Sequence, residues 1–247
     1  MGLIKTTEEI AKMRAGGRIL AEVLNLAAGK IKPGIKTKDL ENFVEQELSK
    51  RGAEPAFKNF QGYPAALCVS LNDQIVHGIP GERAIKKGDL ISLDLGVRYQ
   101  GMYTDAALSR TVVKGSREAQ SLIEITAKSL EAAIAEVKPG NTLGDIGAAI
   151  ENQARRGGFN VIRDLVGHGV GHRVHEEPQI PNFGHPGQGM KLKPGMTLAI
   201  EPMLTSGRPE IKCLADGWTY VTADGSLNAH FEHTVLVTPN GREILTD

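Results

Sequence analysis

The sequence predicts an α+β fold built from two similar halves, with helices outside a curved antiparallel sheet. Helical patterns occur in pairs and strand patterns in antiparallel-looking runs, which is typical of this class. The chain also matches itself at an offset of 106 residues, which aligns Lys32-Pro-Gly34 with Lys138-Pro-Gly140. No segment has the composition of a linker between independent units. We therefore expect one domain over residues 1–247, with approximate halves at 7–115 and 116–247.

The first half is predicted to begin with two helices and to continue with three strands. Residues 7–29 carry apolar side chains at helical spacing, and residues 37–51 follow a Pro-Gly turn and end near glycine. Strands are expected at residues 66–71, 90–99 and 102–113. In the second strand, alternation places Asp94 on one face. The apolar side chains on the other face are Ile91, Leu93, Leu95 and Val97.

The second half is predicted to repeat this order of elements. Helices are expected at residues 117–137 and 142–156, and the second of them again follows Lys-Pro-Gly. Asp39 aligns with Asp145 at the same offset, so the match is longer than a common turn motif. Strands should follow at residues 169–174, 197–205, 218–222 and 230–238.

Composition argues against several classes of function. Lys+Arg and Asp+Glu both total 29, so bulk charge does not favour direct binding to nucleic acid or to a membrane surface. Two cysteines, Cys68 and Cys213, do not make a disulfide framework, and a reducing compartment is the simpler interpretation. The start of the chain lacks the apolar core of a signal peptide, so we expect a cytoplasmic protein.

Four acidic residues lie inside apolar, strand-like segments. A buried carboxylate is costly unless it is paired, protonated or bound to a metal, and these segments contain no Lys or Arg. Small residues share the acid-bearing faces, as Ser92 and Gly96 do beside Asp94, and they leave room for ions and substrate. With one imidazole, such oxygen ligands are typical of a two-metal hydrolytic site. The four residues are Asp94, Asp105, Glu201 and Glu232.

Three of the seven histidines are candidates for this site because of the segments that hold them. His168 lies between Gly167 and Gly169, where the backbone can approach a ligand closely. His175 precedes Glu-Glu-Pro, and His77 precedes Gly-Ile-Pro. These contexts favour a functional role over that of an ordinary surface or core histidine.

The other four histidines are expected to be less directly involved. His230 alternates onto the face of Glu232, where it can support that carboxylate, whereas His233 points away. His172 and His185 have no context that favours a site. The spacing from His168 to His172 resembles a zincin pair, but the glycines around them argue against a helix there.

Asp94, Asp105, His168, Glu201 and Glu232 match, in order and local context, the five metal ligands of the type I methionine aminopeptidases. The chain resembles this family over nearly its whole length, and no ligand is missing. The accompanying motifs are Asn72-Asp-Gln-Ile-Val-His-Gly-Ile-Pro80, Gly167-His-Gly-Val-Gly171, His175-Glu-Glu-Pro178, Lys193-Pro-Gly-Met-Thr197, Ile200-Glu-Pro-Met203 and Asp216-Gly-Trp218.

The resemblance implies a single catalytic domain with the pita-bread fold, a pseudo-twofold αβ sandwich that agrees with the repeat. It implies an aminopeptidase that removes the initiator methionine from nascent proteins and peptides whose second residue is small. It also implies two divalent ions, of Co, Mn, Fe or Zn. Asp105 and Glu232 would bridge both ions, His168 and Glu201 would complete one, and Asp94 would complete the other.

The resemblance, together with the chemistry of the side chains, suggests roles around the metals. Glu201 is expected to receive and shuttle a proton, and His175 to donate to the developing oxyanion. His77 is expected to hold the scissile amide nitrogen or the following backbone. Aromatic rings and a thiol suit a thioether, so the methionine pocket is expected to be lined by Phe57, Phe60, Tyr63, Cys68, His77 and Trp218.

The sequence departs from the family pattern at positions around the ligands. Ala106 follows Asp105 where many relatives carry a hydroxyl residue, which changes the hydrogen bonds available near that ligand. Val174 stands where phenylalanine is common, which predicts a looser pocket wall. Phe57 and Phe60 occupy positions that are often Cys and Tyr.

Two alternatives remain open at this point. The first is another pita-bread peptidase, such as a proline-specific one, although those relatives usually carry a large extra N-terminal domain. The second is a binding protein that keeps the fold without catalysis, although such relatives lose metal ligands. We expect a monomer whose partners are the N-termini of nascent polypeptides, and the family's task also suggests the ribosome as a partner.

Overall fold

The computed structural model describes residues 2–247, and the helices in this range form two pairs. The first helix begins with a capping box, in which Thr6 Oγ1 accepts from the Glu9 N–H at 3.3 Å and Glu9 accepts from the Thr6 N–H at 2.7 Å. None of the helices in residues 2–247 is both long and apolar enough to cross a bilayer. The helices are α1 (Thr7–Gly29), α2 (Thr37–Lys50), α3 (Arg117–Ala135) and α4 (Leu143–Arg156).

The strands follow the helices in each half. Those of the first half are β1 (Glu54–Pro55), β2 (Leu67–Leu71), β3 (Gln74–Val76), β4 (Leu90–Tyr99) and β5 (Met102–Thr111). Those of the second half are β6 (Asn160–Val161), β7 (Val166–Gly169), β8 (Glu176–Pro181), β9 (Thr197–Ile200), β10 (Met203–Thr205), β11 (Ile211–Cys213), β12 (Tyr220–Thr222), β13 (Asn228–His230), β14 (Glu232–Thr238) and β15 (Gly241–Ile244). A short 3₁₀ helix covers Phe60–Gly62.

One large antiparallel sheet joins the two halves. Its order is β1-β4-β5-β14-β9-β7-β8, with β2 also paired to β4 and β15 to β14. The halves meet where β5 pairs with β14, in a register that sets Ala107 opposite Glu232 and Ala106 opposite His233. Two three-stranded sheets, β13-β10-β6 and β11-β12-β3, complete the strands. The predicted α+β class is confirmed.

Each half packs its own pair of helices against its own strands. In one core cluster α1 and α2 pack on β2, β4 and β5, with Leu40 and Leu93 fully buried. In a second cluster α3 and α4 pack on β9 and β14, with Ile146 and Leu198 fully buried. The predicted alternation in β4 is confirmed, because the first cluster contains Ile91, Leu93, Leu95 and Val97. Asp94 therefore lies on the opposite face of β4, away from this core cluster.

Three strand predictions were wrong in position or extent. The strand expected at 197–205 is two strands, β9 and β10, because Pro202 lacks an N–H and interrupts the ladder. The strand expected at 169–174 is a loop, since β7 ends at Gly169 and Gly171 adopts a φ of 145°. The prediction also missed β8, whose charged residues hide the strand pattern. The strand expected at 230–238 begins only at Glu232, as β14, because His230 ends the separate strand β13, and the other predicted elements are present with shifted ends.

Candidate metal centre

Three neighbouring strands bring carboxylates from both halves together. Asp94 of β4 lies opposite Ala107 of β5, and Glu232 of β14 lies opposite the same alanine from the other side. Asp105 precedes Ala107 by two residues, so the two side chains share a face of β5. All three acids are buried, with at most 9% of any residue exposed. Because the methyl group of Ala107 is small, the three carboxylates can converge above it.

His168 reaches this face from β7. It lies opposite Ala199 of β9, and its Nδ1 donates to the Gly169 carbonyl at 2.9 Å, which leaves Nε2 free for a metal. The flanking glycines are explained by close strand packing. A Cβ on Gly167 would lie 2.5 Å from the carbonyl oxygen of Ala199, and one on Gly169 would lie 2.2 Å from that of Glu177. This reason differs from the close approach to a ligand that the sequence suggested.

Glu201 joins the group from just beyond the end of β9. One of its carboxylate oxygens, Oε1, lies 3.5 Å from His168 Nε2, and the other, Oε2, lies 3.6 Å from His230 Nε2. His230 is 1% exposed, and neither of its ring nitrogens has a hydrogen-bond partner. His230 thus lies against one of the expected ligands, but that ligand is Glu201 and not Glu232 as the strand alternation suggested, because His230 belongs to β13 and Glu232 to β14.

The donor atoms suit a divalent cation. One ligand atom each from Asp105, His168 and Glu232 all lie within 4.8 Å of one another. Within residues 2–247, buried oxygens without a hydrogen-bond partner include Asp94 Oδ1, Asp105 Oδ1 and Glu232 Oε1. Over the same range, no Lys or Arg forms an ion pair with these acids. Carboxylates with one imidazole are a ligand set for Mn, Fe, Co or Zn, and a cation would satisfy these orphaned oxygens.

Burial and mutual repulsion disturb the titration of these groups. Burial raises the pKa of Asp94 to about 7 and that of Glu201 to about 8. Burial, with the negative charge of neighbouring acids, also raises the pKa of Asp105 and of Glu232 well above their usual values. In contrast, burial lowers the pKa of His168 to about 3, so its ring stays neutral. Neutral imidazole is the form that binds a metal, and a cation would offset the repulsion among the acids.

The acids lie at the floor of a cavity of about 710 Å³. One wall is aromatic, with the rings of Tyr63 and Trp218 packed edge to face at a centroid distance of 5.3 Å. Cys68 of β2 lies opposite Asp94 of β4, so this wall adjoins the acids directly. Val174 packs in the same apolar cluster. Every residue expected in the methionine pocket lines the cavity: Phe57, Phe60, Tyr63, Cys68, His77 and Trp218.

His77 and His175 both line this cavity beside the acids. The ring of His175 lies 4.4 Å from that of His168, and the ring of His77 lies 6.4 Å from that of Trp218, measured between centroids. His77 has a left-handed φ of 58°, a conformation that is uncommon for non-glycine residues and that clusters at functional sites. Burial lowers the pKa of His77 to about 4 and that of His175 below its ordinary value. Each ring is therefore neutral near pH 7 and carries one N–H donor.

Some residues of the cavity wall were not predicted from the sequence. Glu176 belongs to the motif His175-Glu-Glu-Pro178, so its place beside His175 could have indicated that it lines the cavity. Nothing local in the sequence indicated that the N-terminal residues would lie at the same cavity. His172, His185 and His233 are not among its described lining residues, as expected. The unpredicted lining residues include Gly2, Leu3, Gln61, Arg173, Glu176, Glu177 and Gln179.

Comparison with known proteins finds a metallopeptidase family and several methionine aminopeptidases. The model of metallopeptidase family M24 matches residues 11–239. A methionine aminopeptidase of Clostridium perfringens is 49% identical over 100% of this chain and 99% of its own length. Methionine aminopeptidase 1 of Bacillus subtilis is 46% identical over 100% of this chain and 99% of its own length.

Solved structures agree with these relatives. The crystal structure of a methionine aminopeptidase from Thermotoga maritima has a TM-score of 0.97 at 48% identity, and covers 99% of this chain and 98% of that chain. A prolidase from Pyrococcus furiosus has a TM-score of 0.82 at 25% identity, and 65% of its chain is covered. The expected pita-bread fold is thereby confirmed. The chain belongs to metallopeptidase family M24 and, within that family, to the methionine aminopeptidases.

Proposed function

We propose that this chain hydrolyses the first peptide bond of nascent proteins and peptides that begin with methionine and have a small second residue. The observation that carries the proposal is the convergence of Asp94, Asp105, Glu201 and Glu232 with His168 at the floor of an aromatic cavity. As a methionine aminopeptidase of a metallopeptidase family, the chain is a hydrolase that uses a divalent metal.

Two divalent ions would balance the charge of the site. The four carboxylates carry four negative charges once ionised, and a single divalent ion would leave two of them uncompensated. We propose that Asp105 and Glu232 would serve both ions, that His168 and Glu201 would complete one, and that Asp94 would complete the other. When bound, such ions of Co, Mn, Fe or Zn polarise a carbonyl and lower the pKa of water, as amide hydrolysis at neutral pH requires.

Glu201 is proposed to take the proton from the attacking water and to pass it to the leaving amine. Its carboxylate lies between the rings of His168 and His230, at 3.5 Å and 3.6 Å, so it is held beside the other acids. A fixed carboxylate within reach of the water and of the leaving group is what general base and acid catalysis needs.

The two cavity histidines are proposed to serve as hydrogen-bond donors. His175, beside His168, donates to the carbonyl oxygen as negative charge develops on it. His77, which packs against the ring of Trp218, holds the scissile amide nitrogen or the backbone that follows. Because both rings are neutral, they donate without adding positive charge close to the metal ions.

We propose that the position of the pocket selects substrates with a free N-terminus. Cys68 lies opposite Asp94 across β2 and β4, so a methionine side chain against the thiol brings its own α-amino group towards Asp94. The rings of Phe57, Phe60 and Trp218 offer the polarisable contacts that suit a thioether. An internal peptide bond has no such amine, and this favours exopeptidase action.

The proposed partners follow from this substrate. Protein N-termini are available as chains emerge during synthesis, so we propose a cytoplasmic monomer that acts on nascent chains, with the ribosome as a further partner. The zero formal net charge gives no support to direct binding of nucleic acid.

The decisive experiment is peptide kinetics after chelation and re-addition of Co(II), Mn(II), Fe(II) or Zn(II), one metal at a time. We expect Met-Gly-Xaa peptides to be cleaved only after a metal is restored, and Met-Lys-Xaa peptides to be cleaved poorly. N-acetyl-Met-Gly-Xaa is the matched control for the free amine and should remain intact.

Two results would contradict the proposal. Faster cleavage of Xaa-Pro peptides than of Met-Gly-Xaa would indicate a proline-specific peptidase. Full activity in the presence of chelator, with metal content verified as negligible by elemental analysis, would show that the acids do not act through a metal.

A further inference from the structure

Lys5 is a buried cation that pairs with Glu176, a residue of the cavity wall that is distant in sequence. Its side chain is 1% exposed, and its Nζ lies 2.7 Å from Glu176 Oε2, a contact between residues 171 positions apart. The segment around it is also fixed, because the Lys5 N–H donates to the Gly195 carbonyl at 2.8 Å. A buried lysine is costly unless it is paired, so this ion pair holds both partners in place.

The other oxygen of Glu176 holds the loop that carries His175. Glu176 Oε1 accepts from the backbone N–H of His172 at 2.5 Å and from that of Arg173 at 2.8 Å. These amides belong to the loop between β7 and β8, which leads directly into His175. The Glu176 carboxylate therefore links Lys5 to the backbone of the loop, and it does so on the residue that follows His175.

A second contact ties the same loop to the start of α1. His172 Nε2 lies 2.8 Å from Glu9 Oε1, while the other oxygen of Glu9 accepts from the Thr6 N–H in the capping box. The lysine stem also passes very close to the loop. A Cβ placed on Gly171 would lie 2.2 Å from Lys5 Cε, so a side chain at this position would displace the lysine stem.

A buried ion pair by itself contributes little to stability compared with apolar packing, and its best-attested use is to specify one conformation. Here the conformation is that of the loop ending at His175, whose ring lies 4.4 Å from that of His168 and 5.4 Å from that of Phe60. Glu176 itself lines the cavity. We propose that Lys5, acting through Glu176, is a positioning residue for His175, an inference that rests on the donor role proposed for that histidine.

The main test compares Lys5→Met with Lys12→Met in the full, metal-loaded chain. Lys12 is the matched control because it pairs with Glu8 at the same distance, 2.7 Å, but lies within α1 and is 32% exposed, whereas Lys5 precedes that helix and is 1% exposed. We expect Lys5→Met to lower kcat for Met-Gly-Xaa by roughly 10- to 100-fold, as misplacing a catalytic group does. KM should stay within about twofold, and Lys5→Arg should restore most of kcat. Lys12→Met should match the unmodified chain.

A double-mutant cycle with His175→Ala separates positioning from a general structural effect. If Lys5 acts through His175, adding Lys5→Met to His175→Ala should change kcat by less than about twofold. Equal losses in both backgrounds, or no loss from Lys5→Met alone, would overturn the proposal while leaving the donor role intact. Full turnover by His175→Ala would refute the donor role itself and this inference with it.

A second readout does not depend on turnover. Amide hydrogen exchange of the peptide covering residues 170–176 should be faster in Lys5→Met than in Lys12→Met, with the core strands unchanged. If Lys5→Met does not fold, the double variant Lys5→Met/Glu176→Gln removes both charges and keeps a carbonyl oxygen for the two loop amides. It should show the same fall in kcat, and unchanged kcat in that folded variant would contradict the proposal.

Discussion

The two halves share the backbone geometry that sets up the acids but differ in the side chains that the neighbouring strands bring to the site. Gly34 and Gly140, which are 106 residues apart, both adopt a φ of 91° in the turn before the second helix of each half. Asp94 lies on β4 in the first half, and Glu201, 107 residues later, lies just beyond the end of β9 in the second half. The repeated frame therefore places one carboxylate at an equivalent position in each half.

The difference appears on the neighbouring strands. Ser92 of β4 corresponds to Ala199 of β9 at the same offset of 107. Ser92 lies opposite Ser70, whose hydroxyl accepts from the Gly78 N–H at 3.3 Å, whereas Ala199 lies opposite His168. Only the second half offers an imidazole at this place among the described strands. A duplicated fold thus makes a site whose two ends are chemically unequal.

The largest effect should come from the acids where the halves meet. Asp105→Asn and Glu232→Gln should each lower kcat/KM by roughly 10³-fold or more, because each removes a ligand proposed to serve both ions. Turnover of Met-Gly-Xaa, with metal content measured by elemental analysis, checks this. Glu151→Gln, a change in a surface pair with Arg163, is the control and should keep full activity.

This prediction sharpens the comparison because it expects the two halves to contribute equally at the bridging positions. Losses that differ by more than about tenfold would show that one half dominates the metal site. If either variant kept both metals at the level of the unmodified chain, the assignment of Asp105 and Glu232 to both ions would be contradicted.

An intermediate effect should appear in the stability of the metal-free protein. Burial raises the pKa of Asp94 to about 7 and that of Glu201 to about 8, from ordinary values of 3.8 and 4.5. Between the ordinary and the raised pKa of each acid, the folded state binds more protons than the unfolded state. The free energy of unfolding therefore falls as pH rises through this range. Burial lowers the pKa of His77 and of His168 to about 4 and about 3, which acts in the opposite direction below pH 6.5.

Above about pH 7 the histidines of the unfolded chain have lost most of their protons, so the carboxylates dominate, and the Tm of the metal-free protein should fall from about pH 7 to about pH 8. Differential scanning calorimetry checks this, and Glu201→Gln should reduce the slope. The metal-loaded protein should not lose Tm in the same way, because deprotonated ligands bind metal more tightly. A Tm of the metal-free protein that rises over this interval would show that the acids are not held protonated.

The smallest effect concerns the repeated turns. Asp39 accepts one N-cap bond, from the Lys36 N–H at 2.9 Å. Its counterpart Asp145 accepts from the N–H and hydroxyl of Thr142 at 2.7 and 2.8 Å, and from the Gly187 N–H at 3.1 Å. We expect Asp145→Ala to lower the free energy of unfolding by about 2 kcal/mol and Asp39→Ala by about 1 kcal/mol.

Urea unfolding of the metal-loaded protein measures both values, with Asp164→Ala in an exposed loop as the control. A larger loss from Asp39→Ala than from Asp145→Ala would show that the extra contacts of the second turn do not stabilise it.

The sequence by itself determined the features that depend on local pattern. Period-two alternation separated Leu93 and Leu95 from Asp94, because successive side chains of a strand must point to opposite faces. The turn glycines and the paired helices exposed the repeat, since they need only short-range geometry. The ligand candidates followed from carboxylates in apolar segments, and the family resemblance added their roles.

Only the tertiary structure decided how distant segments meet. The pairing of β5 with β14 sets Ala107 between Asp94 and Glu232, and no local signal specifies that register. The contact of Lys5 with Glu176 likewise joins residues that are 171 positions apart. Local propensity acts over a few residues, whereas the pairing of strands and the burial of an ion pair depend on the packing of the whole chain.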